Sequence, residues 1–145
     1  MIYWDSSALL KLYIPEADTP YFLQLVAGTD DQILTSTVAA IEILCATHRK
    51  ESVGDLKPGG AAAAFEKFLD DVRVGRIIEI PYGRDVVEEA RKLLKHTYGG
   101  PRRILIRSLD VIHVASAKVS GIKLVVAADA RLRDAASLAN MKLLP

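Results

Sequence analysis

Ile2-Tyr3-Trp4-Asp5-Ser6-Ser7-Ala8-Leu9-Leu10-Lys11-Leu12-Tyr13 reads as a short strand, a polar turn and a helix in immediate succession. Three apolar residues closed by Asp-Ser-Ser suit a strand buried on both faces. The helix opening at Ser6 must end before Pro15, whose ring lacks a backbone donor. Asp5 stands at the junction between strand and helix. Outward from this unit the same alternation continues. Pro20 suits the first turn of a helix over Thr19–Val26. Gln32-Ile33-Leu34-Thr35 gives a second strand, and Thr37 is positioned to cap a helix running to about Lys50. Gly54, Pro58 and Gly59-Gly60 mark a loop. Phe65, Phe68, Leu69 and Val72 then recur at helical spacing.

Ile77-Ile78-Glu79-Ile80 forms a third strand before Pro81, and Val86 to Leu94 an amphipathic helix ended by Gly99-Gly100-Pro101. A basic loop leads to a helix over Ser108–Val119. Lys123 to Ala127 is a fourth strand, Ala130 to Leu138 the last helix, and Met141 to Leu144 a short fifth strand. Strands alternating with helices predict one α/β domain over residues 1–145, an α/β/α sandwich around a parallel sheet of four to five strands.

Composition narrows the classes. The chain has 145 residues, half of them hydrophobic, enough for one core. Its 19 basic and 18 acidic side chains leave a net charge of +1, so attraction for nucleic acid must be local. A single cysteine, Cys45, excludes an internal disulfide framework and a Cys-rich zinc site; its apolar helical surroundings predict a small buried hydrophobe. No apolar run is long enough for a membrane span, and the N-terminus lacks a basic signal-peptide region. A soluble, cytoplasmic protein with no membrane role is expected.

Four acids carry the functional reading. Asp5 and Asp129 each follow a strand and precede a helix, so each serves equally well as an N-cap. Asp110 lies in a first helical turn, where the helix dipole favours a carboxylate. Glu42 is the only charge between Thr35 and Thr47, and burying it is expensive without compensation. Together they gather at the carboxyl edge of a parallel sheet, where open α/β folds build their sites. Carboxylates crowded there repel one another unless a divalent cation intervenes, and all-oxygen ligation favours Mg²⁺, with Mn²⁺ as an alternative.

These residues resemble a known family. Asp5-Ser6-Ser7-Ala8-Leu9-Leu10-Lys11-Leu12-Tyr13 resembles the opening motif of PIN-domain nucleases, in particular the VapC toxins of toxin–antitoxin pairs. Leu109-Asp110-Val111-Ile112-His113-Val114-Ala115 is similar to their third-acid motif, and Val126-Ala127-Ala128-Asp129-Ala130-Arg131-Leu132 to their last. Glu42 matches the remaining acid. The resemblance implies a PIN fold and a Mg²⁺-dependent endoribonuclease with Asp5, Glu42, Asp110 and Asp129 as catalytic, metal-binding residues. It also implies an RNA substrate, a homodimer, and a cognate VapB-like antitoxin whose tail occupies the groove. The family often has Thr or Ser where this chain has Ala127; Ser6 and Ser7 are the nearby hydroxyls that could substitute.

Lys11, Arg102, Arg103, Arg107, Arg131 and Arg133 are the basic groups available to grip phosphates, with ordinary solvated charge as the simpler reading for about half of them. Tyr3 and Trp4 read as core. His113, three residues after Asp110, reads as a packed helix histidine able to touch the acids, and His48 and His96 as surface residues. A phosphoacceptor receiver domain and an Asp-x-Asp phosphotransferase both fail, since Ser6-Ser7 stand where further acids are required. A PIN-like module that binds RNA or protein without cutting is the remaining alternative.

Overall fold

Every inner strand is apolar on both faces, which requires helices above and below the sheet. The computed structural model describes residues 1–100 and 105–145 and has that arrangement. The elements run β1 (Ile2–Trp4), α1 (Ser6–Tyr13), α2 (Thr19–Ala27), β2 (Ile33–Ser36), α3 (Val38–Ser52), α4 (Gly60–Arg73), β3 (Ile77–Ile80), α5 (Arg84–Gly99), α6 (Ser108–Val119), β4 (Leu124–Val126), α7 (Ala130–Leu138) and β5 (Lys142–Leu144). The sheet has five strands in the order β3-β2-β1-β4-β5, all parallel. The expected single α/β domain with a parallel sheet is what forms, with the short fifth strand included.

The alternation of side chains along β1 divides the core. Ile2 and Trp4 pack with Ile33, Ile77 and Val126 against Ala8, Leu9, Phe22, Ile43 and Phe68 from α1 to α4. Tyr3 points the other way, with Leu34 and Val125, toward Ala117 and Leu132 of α6 and α7. Beyond that layer, Leu93, Val111, Val114, Ala135 and Ala136 lock α5, α6 and α7 together. The first half of the chain thus covers one face and the second half the other.

This winding fixes the crevice. The chain steps outward from β1 to β2 and β3, then returns to the far side of β1 to lay down β4 and β5. Connections on the two sides of β1 therefore diverge at the carboxyl ends of β1 and β4, the position at which doubly wound sheets form a crevice. Tyr3 pairs with Leu34 on one side and Val125 on the other, so β1 is the central strand.

Two details of the helices differ from expectation. Cys45 is exposed, not buried. The inward face of α3 carries Ala39, Ile43 and Thr47, and Cys45 lies about 200° around the helix from Ile43, beside exposed Ile41. An apolar sequence context alone does not set the facing of a helix residue. Thr37 occupies the N-cap position of α3 without a side-chain capping bond. Its hydroxyl instead accepts from the Tyr82 amide at 3.2 Å, tying the start of α3 to the segment after β3.

Candidate active site

Asp5 leaves β1 with its backbone amide bonded to the Val126 carbonyl at 3.1 Å, which seats it at the mouth of the β1–β4 crevice. Its side chain is buried and caps α1. Oδ1 accepts from the Ala8 amide at 3.1 Å and the Ser7 hydroxyl at 2.9 Å, while Oδ2 accepts from the Ser7 amide at 3.2 Å. Burial pushes the Asp5 carboxyl above the usual range, against the lowering pull of His113 and the Ser7 hydrogen bonds.

Ser7 connects the two strand ends. While its hydroxyl donates to Asp5, the same oxygen accepts from the amides of Ala128 and Asp129, both at 3.0 Å. A hydroxyl has one donor and two lone pairs, so this one is fully engaged. Asp129 is thereby set beside Asp5 and caps α7, its Oδ1 accepting from the amides of Arg131 at 2.8 Å and Leu132 at 3.3 Å. Ser6 is half-buried and makes no side-chain hydrogen bond among the described residues. Ala127 is fully buried in the core.

Asp110 sits in the first turn of α6. Its Oδ2 is shielded from solvent and has no hydrogen-bond partner among the described residues. Burial raises the Asp110 carboxyl above its usual range and the nearby charge of Asp129 adds to that, while a hydrogen bond from the Arg107 backbone to the carboxyl and the charges of Arg107 and His113 oppose it. Asp110 and Asp129 therefore feel one another across the crevice, and Arg107, exposed at the N-cap of α6, feels Asp110. An acceptor buried without a donor costs about 1–3 kcal/mol, which a cation or an ordered water would relieve.

Glu42 projects from α3 and reaches a partner that the sequence leaves indistinct. Its Oε2 lies 2.6 Å from Nε2 of His113, which is buried at 1 % exposure. The other ring nitrogen, Nδ1, is 2.7 Å from the hydroxyl of Tyr3. His113 is thus a packed helix residue and also a member of the acid network. Tyr3 is core, as expected, but its hydroxyl is held far above its usual pKa by burial and by the Asp5 charge, so it keeps its proton. The signal for this chain lay in the spacing of His113 from Asp110; its link to Glu42 spans 71 positions and required the fold.

Among the described residues no three His, Cys, Asp or Glu side chains stand close enough together to enclose a metal ion. Mg²⁺ does not require such a cage, since one or two carboxylates with water and substrate phosphates commonly hold it. The donor set fits that mode: hard carboxylate oxygens, one of them the unpartnered Oδ2 of Asp110.

The basic groups divide sharply. Lys11 is bonded to Glu16 and lies 2.8 Å from Asp18, so it does not face a phosphate. Arg133 donates to the carbonyls of Ala127 at 3.1 Å and Pro145 at 2.6 Å, a structural role. Arg107 and Arg131 are exposed next to Asp110 and Asp129 in sequence. Arg102 and Arg103 lie outside the described residues. His48 and His96 are surface residues.

Residues 2–138 match the family described as PIN domain. No curated protein sequence gives a significant match. Among solved structures the chain is similar to one in VapBC2 from Rickettsia felis bound to a DNA fragment from their promoter, with a TM-score of 0.71 at 14% identity, covering 99% of this chain and 98% of that one. It is also similar to a chain in FitAcB from Neisseria gonorrhoeae, with a TM-score of 0.58 at 15% identity, covering 100% and 97% respectively. At such identities the likeness establishes the fold.

Proposed function

This chain belongs to the PIN domain family, and from that premise we propose that it is a Mg²⁺-dependent endoribonuclease acting in the cytoplasm as the toxin of a toxin–antitoxin pair. The observation that carries the reading is the shielded, unpartnered Oδ2 of Asp110 at the carboxyl edge of the sheet, within the field of Asp129. An oxygen left without a donor in that position can accept from an ordered water or bind a cation, and the neighbouring carboxylate of Asp129 favours the cation.

In this reading Asp110 and Asp129 offer their free oxygens to Mg²⁺ (or Mn²⁺), and Asp5 and Glu42 complete the acidic set directly or through water. When bound, the ion supplies an activated water and polarises the scissile phosphate. The chain's own contribution is placement. Asp5 is fixed by its capping bonds, Asp129 is held beside it by Ser7, and Asp110 is carried to the same edge by α6. Arg107 and Arg131, exposed near the acids, are the cations best placed to meet phosphates of a single RNA strand.

The toxin part rests on the family and on the company of the similar structures, which are a VapBC and a FitAB assembly. Ile41 at 55% and Leu109 at 40% exposure are apolar surface on α3 and α6, the helices that carry Glu42 and Asp110, and an antitoxin tail would cover surface of this kind. A homodimer, as the family has, would use further exposed apolar surface such as Tyr82, Val87 and Tyr98.

A second reading, a PIN-like module that binds RNA or protein without cutting, draws on the loose spacing of the acids and on Ala127. One experiment separates the two. Purified protein incubated with RNA and Mg²⁺ should cut internal phosphodiester bonds, EDTA should stop it, and Asp5→Asn should abolish it without unfolding the protein. RNA retained intact with and without Mg²⁺ would favour the binding module. Growth arrest on expression, relieved by the product of the adjacent reading frame, is the corresponding test of the toxin role.

A further inference from the structure

Glu42 is the candidate acid whose placement depends on a single neighbour. It rises from α3, in the layer on one side of the sheet, and its carboxylate meets Nε2 of His113 on α6, in the layer on the other side, at 2.6 Å. His113 is in turn fixed through Nδ1 by the Tyr3 hydroxyl at 2.7 Å. Tyr3 belongs to β1, two residues before Asp5. Three elements that carry candidate acids or adjoin them thus meet at one imidazole.

A neutral His113 beside an ionised Glu42 gives this chain one direction. A carboxylate only accepts hydrogen bonds, so Nε2 of His113 must carry the proton and donate to Glu42. In a neutral imidazole the other nitrogen then presents a lone pair, and the Tyr3 hydroxyl is its donor. All three polar groups are satisfied, which is the condition for keeping them in a buried site.

We propose that His113, held in its Nε2–H tautomer by Tyr3, is a positioning residue that ties the Glu42 carboxylate of α3 to α6, the helix that carries Asp110, and so sets the site's affinity for its divalent cation. The inference rests on the metal-dependent reading of the site and goes beyond it, because it assigns a role to two residues that are not acids. Carboxylates that bind metals depend on hydrogen-bonding neighbours of this kind, and removing such a neighbour typically costs 10–100-fold in metal affinity or activity.

The test uses the full chain and Mn²⁺ as the probe, with binding followed by calorimetry and the His113 ring nitrogens followed by ¹⁵N NMR. Wild type should show Nε2 protonated and Nδ1 bare. His113→Leu should weaken Mn²⁺ binding by about 10-fold or more. His113→Gln, whose amide can still donate to Glu42, should restore most of that loss. Tyr3→Phe removes one oxygen from the core, keeps the ring, and should release the tautomer and weaken binding to a lesser degree. Unchanged or tighter Mn²⁺ binding in His113→Leu, or a wild-type ring protonated at Nδ1, with or without a proton at Nε2, would overturn the proposal. Equal losses in the Leu and Gln variants would also overturn it, since they would mark a packing role. If wild type itself binds no Mn²⁺ and cuts no RNA, it is the metal-dependent reading of the site that falls, and with it the basis of this proposal.

Discussion

Ser7 does the most with the fewest atoms. Its hydroxyl joins Asp5 to the backbone of Ala128 and Asp129, and so ties together the carboxyl ends of β1 and β4. Ser7→Ala leaves two amides to find water in a half-buried site, and should cost about 1–3 kcal/mol in urea denaturation. Cleavage should fall as well, because Asp129 loses its tether to Asp5. A variant with wild-type stability and rate would mean that the bridge has no such role. The acids themselves were legible as residues: two strand-to-helix junctions, one first turn, and one charge in an apolar run. That Asp5 and Asp129 cap helices does not separate structure from function, since a capping carboxylate has a second oxygen or lone pair to spare. The pairing of Glu42 with His113 was not legible, because local spacing carries no information about a contact between α3 and α6.

At the scale of elements, the strands and helices followed from periodicity, while the facing of α3 did not. Its apolar run continues around the helix, and only the packing on α1 and α4 decided that Ile43 turns inward and Cys45 outward. Lys11 illustrates a related point: its place on α1 near the first acid makes it available to a phosphate, yet α1 and α3 together enclose a charge cluster that already engages it. Glu16 is bonded by Lys11 and lies 2.6 Å from Lys50. Burial pushes the Glu16 carboxyl up, but the hydrogen bonds and charges of the two lysines outweigh this and hold it below its ordinary value of 4.5. A lowered folded value contributes stability that is present above the unfolded pKa and disappears as the pH falls through the folded one. Glu16→Gln should therefore destabilise the protein by about 1 kcal/mol or less at pH 7. The gap to wild type should close once the pH drops well below the glutamate range. A difference independent of pH would assign the effect to packing.

For the molecule as a whole, sequence alternation dictated the doubly covered parallel sheet, and the strand order β3-β2-β1-β4-β5 then placed the crevice. The order itself could not be read from periodicity, which gives strands but not their neighbours. A net charge of +1 fits a protein that meets RNA through a few local arginines and not through a global field. The central claim is that the carboxyl edge of this sheet is a cation-dependent nuclease site, and Asp110→Asn tests it most directly. The amide preserves size while halving the carboxylate's acceptor capacity. RNA cleavage by wild type and by this variant should be compared in Mg²⁺ and in EDTA. The account predicts cutting by wild type in Mg²⁺ alone, and none by a folded Asp110→Asn. Cutting by wild type that persists in EDTA, or a variant as active as wild type, would contradict it.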